Sequence, residues 1–232
     1  MPGEGKVDRT IAEYYDRLAP TYDQDRFGGT YGTFIDRSER GILRAMLPTG
    51  AGDVLDVGCG TGRLTDFATQ GCDASGESVR LAAKRHPDKA FQVANATALP
   101  YPDASCDAAI CFHVLMHLER DVIARLFGEV ARVLRPGGTF VVDVASARRR
   151  RSVRRPNSGW HGDTSLTRGE IAALAGGAGL ALAGVAGVAM VPIHRVPSRL
   201  RGLALPADRL LCRIAPDLSS YLVARLIKAP AG

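Results

Sequence analysis

The densest chemistry in the chain lies in Val54-Leu55-Asp56-Val57-Gly58-Cys59-Gly60-Thr61-Gly62-Arg63. An apolar strand candidate runs into Gly-x-Gly-x-Gly, a spacing that lets the backbone turn tightly and approach a ligand closely. Asp56, two positions before the first glycine, can receive a ligand's ammonium group directly or through water. The helix expected after the turn would present its first amides to the same ligand. Dinucleotide sites hold pyrophosphate with Gly-x-Gly-x-x-Gly, and this is a different spacing.

Histidines supply the candidate proton acceptors: His86, His113, His117, His161 and His194. His113 and His117 are four residues apart and can share a helical face. His161 lies in Trp160-His161-Gly162-Asp163, and His86 precedes Pro87 at a helix end, a surface position. A lone histidine is commonly a satisfied structural residue. From the set His113, His117 and His161, one is expected to touch substrate, His113 first by position. No cysteine or carboxylate stands beside them at ligand spacing, so no metal is expected.

These groups must be positioned by alternating elements. Asp8 to Leu18 and Tyr31 to Leu47 read as helices ending at prolines, with Tyr14, Tyr15, Tyr22, Phe27, Tyr31 and Phe34 as a packing face or a lid. Strand candidates follow at Val54–Val57, Ala90–Ala94, Asp107–Phe112 and Thr139–Val144. Helices are expected at Glu77–His86 and Arg120–Leu134, before the sharp stop Arg135-Pro136-Gly137-Gly138. Strands alternating with helices imply a parallel sheet. Thr167 with Glu170 forms a capping-box pattern, and strands are expected at Leu180–Val191 and Ser220–Lys228.

VLDVGCGTGRLT, then DAS, NATALPYPDASCDAAICFHVLMHL and RVLRPGGTFVVDV, resembles class I S-adenosylmethionine methyltransferases of the ubiquinone/menaquinone C-methyltransferase-like (methyltransferase type 11) family. The resemblance is close over Asp53–Val144, fits the opening YYDRLAPTYD, and is loose in the last third. It implies an α/β fold with a Rossmann-like seven-stranded, mostly parallel sheet, helices on both faces and an N-terminal helical lid. It divides the chain into a lid (1–50), a cofactor-binding core (51–145) and a substrate-side remainder of the same domain (146–232).

The same resemblance implies S-adenosylmethionine as cofactor and a set of residues to hold it. Asp56 would take the methionine ammonium beside Gly58, Cys59, Gly60 and Gly62, and Asp73-Ala74 the ribose. Asn95, where the family usually has Asp, would accept from the adenine amino group through its carbonyl, with Ala96 and Leu99 around the ring. Cys111 and Phe112 would underlie the methionine, while Tyr14 and Tyr22 belong to the lid. Only ten residues separate Gly62 from Asp73, fewer than the family spends on its first helix and second strand. The histidines at 113 and 117 fall at the family's active-site mouth. Methyl transfer needs alignment above all, and a base only where the acceptor must lose a proton.

Composition bounds the alternatives. With 232 residues, 46% hydrophobic and 23% charged, the chain suits one globular α/β domain. Five cysteines without metal-ligand spacing read as free thiols of a cytoplasmic protein. Ile171–Val191 lacks charge, but its Ala/Gly content and Gly176-Gly177-Ala178-Gly179 read as a helix end followed by a strand rather than a transmembrane span. The net charge of +6 concentrates in Arg148–Arg151 and Arg154-Arg155, expected as a mobile loop near the acceptor site. An anionic or apolar small-molecule acceptor is favoured, with methyl transfer to O, N or C. RNA or carrier-bound substrates and a noncatalytic cofactor-binding fold are the alternatives. Nucleic acid is disfavoured because no aromatics interleave the arginines. Residues 192–216, leucines among arginines, allow a cap, a homodimer face, an interfacial helix or added core packing.

Overall fold

The structure is a computed structural model and describes residues 4–153 and 163–230. Its sheet begins with β1 (Val54–Val57), whose four residues are all buried, as a central parallel strand requires. β2 (Gln70–Asp73), β3 (Ala90–Val93), β4 (Cys106–Cys111) and β5 (Leu134–Ser146) pair around it in parallel. β7 (Leu180–Val188) and β8 (Tyr221–Lys228) complete the order β3-β2-β1-β4-β5-β8-β7, with β8 antiparallel to both neighbours. The expected seven strands form this path. A two-residue strand, β6 (Ser165–Leu166), pairs off it with β5.

Helices cover both faces. On one, α4 (Arg120–Val133) buries Ile123, Leu126, Phe127, Val130 and Val133, the stripe its sequence carries at helical spacing. α6 (Arg168–Gly177) packs on the same cluster and begins at a complete Thr167–Glu170 capping box. The other face is covered by α2 (Thr30–Met46) and α7 (Arg201–Ile214), through Phe34, Ile35, Leu43 and Ala204. No described helix is long and apolar enough to cross a membrane. The uncharged stretch 171–191 is divided between α6 and β7.

Three local expectations are corrected. The first helix does not stop at Ala19-Pro20, because α1 runs from Glu4 to Phe27 with Pro20 inside it. Proline removes one donor from the helix interior, and side chains on either side of it pin α1 to α3 (Gly76–Arg85). Asp16 accepts from Ser75 Oγ (2.6 Å) and the Glu77 amide (3.1 Å), and Asp23 from Arg85 (2.6 Å).

The helix expected after the glycine turn shrinks to one short turn, Thr65–Phe67, which accounts for the ten-residue gap before Asp73. The arginine run is not a loop where it is described. Ala147–Ser152 is the short helix α5, capped by Ser146 Oγ, which accepts from the Arg149 amide (3.2 Å). Arg149 and Arg150 donate to the carbonyls of Met190 (3.4 Å) and Asp163 (2.6 Å). Arg154 and Arg155 lie outside the described residues.

Candidate active site

Beyond the carboxyl ends of β1, β2 and β4, a cavity of about 480 Å³ opens beneath α1. Ligands of open α/β sheets bind on this side of the sheet. The glycine turn forms its floor. Gly58, Gly60 and Gly62 all have positive φ, and a Cβ on Gly60 would meet nothing within 4 Å. Space is therefore left where a ligand can lie directly on backbone. Gly62 serves packing instead: its carbonyl meets His86 Nε2 at 2.8 Å, so His86 is a partly buried anchor rather than a surface residue.

Two carboxylates line this floor, Asp56 buried and Asp73 partly buried. Asp56 accepts from Thr65 Oγ1 at 2.7 Å, and burial raises its carboxyl to about 7. A carboxylate so far from water stays ionised when a cation joins it, which suits an ammonium ligand. Asp73 ends β2 and accepts from the Gly60 amide (2.8 Å) and the Ser75 amide (2.8 Å), with burial raising its pKa. It therefore braces the glycine turn while facing the cavity, and a carboxylate keeps further acceptor capacity for hydroxyls.

Asn95 and Ala96 lie at the next strand end and also line the cavity. The Asn95 carbonyl accepts from the Thr97 amide and hydroxyl, both at 2.9 Å, so the expected direct acceptance from adenine competes with a local turn. Cys59, Ala74, Phe112 and Tyr22 border the cavity as well. Tyr14, Gly62 and Cys111 are not among its lining residues. Tyr14 packs edge-on against Tyr15 (5.3 Å between centroids), and Cys111 is fully buried within β4.

The opposite wall combines α1 with the segment after β4. Tyr15 Oη and His117 Nε2 are 2.8 Å apart, and both line the cavity. Burial, with Tyr22 and Tyr14 beside it, pushes the Tyr15 phenol well above its usual range.

His113 adopts φ +61. Its amide donates to Asp143 Oδ1 (2.6 Å), its Nε2 lies 2.7 Å from Glu39 Oε1, and its Nδ1 lies 3.6 Å from Asp143 Oδ2. Burial alone would lower its pKa, but the Glu39 and Asp143 carboxylates outweigh that and raise it. Burial would raise Glu39, yet His113 and Arg63 hold it below the ordinary range. Asp143, on the fully buried side, is raised to about 6. Arg63 closes the group with 2.7 Å contacts to Glu39 and Asp36, and its guanidinium lies 3.8 Å over the Phe27 ring. His113 thus lines the cavity as expected, partly buried, with both ring nitrogens facing carboxylates that favour its protonated form. His161 lies outside the described residues.

The sequence reading missed Tyr15 as a partner for His117, and Glu39, Arg63 and Asp143 as partners for His113. Each pair is remote in sequence, 102 positions for Tyr15–His117 and 74 for Glu39–His113. An acidic residue within α2, on an otherwise apolar buried face, was the available signal for Glu39.

Residues 55–142 match the family model described as a methyltransferase domain. Among curated relatives, the malonyl-[acyl-carrier protein] O-methyltransferase of Pectobacterium atrosepticum is 31% identical over 139 residues, 56% of this chain and 54% of that protein. The demethylmenaquinone methyltransferase of Beutenbergia cavernae is 34% identical over 139 residues, 57% of this chain and 56% of that protein. The chain spans about half the length of the curated relatives it matches. In fold it is similar to a Thermotoga maritima protein described as an S-adenosylmethionine-dependent methyltransferase, possible histamine N-methyltransferase. That similarity has a TM-score of 0.71 at 17% identity, over 94% of this chain and 99% of that one.

Proposed function

Because residues 55–142 match the methyltransferase-domain family model, we propose that this chain is an S-adenosylmethionine-dependent methyltransferase acting on a small, largely apolar acceptor. The observation that carries the reading is the open backbone space at Gly60 between the carboxylates Asp56 and Asp73. Asp56 holds the methionine ammonium, the Gly58–Gly62 backbone takes the adjoining methionine and ribose, and Asp73 receives the ribose hydroxyls. Ala96 and Val93 flank the base. S-adenosylmethionine supplies a methyl group on a sulfonium, a good leaving group.

The chain's own work is alignment, exclusion of water and removal of one proton. Tyr15, Tyr22, Phe27, Phe112, Val114 and Leu118 give the acceptor an apolar enclosure. For an acceptor bearing O–H or N–H, the Tyr15 oxygen takes the proton as the phenol hands its own to His117 Nε2 across 2.8 Å. The raised phenol pKa keeps Tyr15 neutral between turnovers. His113 keeps its wall rigid and its charge matched.

The test is calorimetric binding of S-adenosylhomocysteine, followed by a methylation screen of metabolite extracts with labelled S-adenosylmethionine. Micromolar binding, about 8 kcal/mol, and label transfer are expected. Tyr15→Phe and His117→Ala should lower kcat while cofactor affinity is retained. Absence of cofactor binding in the folded protein would overturn the proposal.

A further inference from the structure

The helix α7 carries chemistry that methyl transfer does not use. Leu200, at its N-cap, and Leu203, Leu210, Leu211 and Ile214 are all exposed, Leu203 at 70% and Ile214 at 73%. With 3.6 residues per turn these five fall within an arc of about 100°, a continuous stripe. The adjoining side of α7 is spent on the fold. Ala204 and Cys212 are buried, and α7 packs beside β7 and α2. Hydrophobic positions at helical spacing normally face the core; here the apolar stripe faces outward.

The charge around the stripe has one sign. Arg199 and Arg213 are exposed on its flank, Arg209 is exposed further round toward α2, and among the described residues none of them pairs with a carboxylate. The single acid of α7, Asp208, is turned inward and buried, where it accepts from the amides of Met190 (2.7 Å) and Val191 (2.8 Å). α5, with exposed Arg148 and Arg151, packs on the same short turn, Pro216–Leu218, that α7 touches. Asp217 of that turn is engaged by Arg168 at 3.3 Å. The outer surface is therefore apolar and cationic, on a chain of net charge +6.

We infer that α7 docks this chain on an anionic lipid surface, with the Leu200–Ile214 stripe inserted among the acyl chains and Arg199 and Arg213 at the headgroups. Leucines on one face of a helix and arginines on its flank are the pattern of helices that lie in the plane of a bilayer interface. A second copy of the chain would bring arginine against arginine around the same stripe, which disfavours self-association through it. α7 also shares an apolar cluster with α2 and with Phe112, which lines the cavity. The inference rests on α7 and stands apart from the identity of the methylated atom.

Flotation of the full chain with vesicles of phosphatidylcholine alone, and of phosphatidylcholine with phosphatidylglycerol, tests it. Binding is expected to the anionic vesicles, to weaken in 0.5 M salt, and to fall about tenfold or more in Leu203→Ser/Leu210→Ser/Ile214→Ser. Arg199→Gln/Arg213→Gln should weaken binding and flatten its dependence on phosphatidylglycerol content. All the substituted side chains are exposed, so unchanged thermal melting checks that the fold is intact. No binding of the wild-type chain to anionic vesicles overturns the inference. So does a concentration-dependent dimer abolished by the triple substitution, since the stripe would then belong to a second copy.

Discussion

The two walls of the cavity are built by different means. The floor, Gly58–Gly62 with Asp56 and Asp73, is made at strand ends, where backbone conformation and two carboxylates do most of the work. Its members are close in sequence, and β1 and β2 bring them together by direct pairing. The opposite wall, Tyr15 with His117 and His113 with Glu39, Arg63 and Asp143, is a set of side chains from five separate segments. The floor depends on space and backbone, and the wall on matched charge. A change in the floor should cost ligand binding, whereas a change in the wall should cost stability or turnover.

The largest expected effect is in the wall. Glu39→Ala leaves the partly buried Arg63 and His113 without the buried carboxylate they share, which should destabilise the fold by about 3 kcal/mol in chemical denaturation. Glu39→Gln, which keeps the shape, should cost less. If both variants melt like wild type, the charge-matching account of this wall fails.

Gly60→Val, the matching break in the floor, puts a branched side chain at φ +53 and into the ligand's space. Cofactor affinity should drop at least about 100-fold, roughly 2.8 kcal/mol, by calorimetry. Unchanged binding would move the cofactor site elsewhere. Asp73→Ala should weaken cofactor binding by about 1.5–3 kcal/mol, because it removes a charged acceptor and the brace on the Gly60 amide. Asn95→Ala should cost less, since its carbonyl is partly committed to Thr97. The reverse order would shift the ribose partner away from β2.

The floor should also be the more pH-sensitive half. In the free protein Asp56 titrates at about 7, and a bound ammonium holds it ionised, so its pKa falls on binding. Affinity is then full above pH 7 and declines as pH drops through 7, by up to about tenfold per unit. Asp56→Asn should bind more weakly and lose this dependence.

The smallest effect is expected where the chain is most basic. Arg148→Gln/Arg151→Gln changes only exposed charges and should shift cofactor affinity by no more than a few tenths of a kcal/mol. A larger loss would tie α5 to the cofactor.

The pattern of short apolar strands, the glycine turn and the helical stripe of α4 determined the sheet and the floor, because each depends on neighbours a few positions away. Three features were decided by contacts across the fold. α1 continues through Pro20 because Asp16 and Asp23 tie it to α3 and its flank. His113 is held between two carboxylates because α2 and β5 aim Glu39 and Asp143 at it. α7 turned its leucines outward because Ala204, Asp208 and Cys212 fill the inner face. Sequence spacing tells which side chains share a helix face or a strand end. Burial and pairing between remote segments decide what charge a group carries and which face meets water.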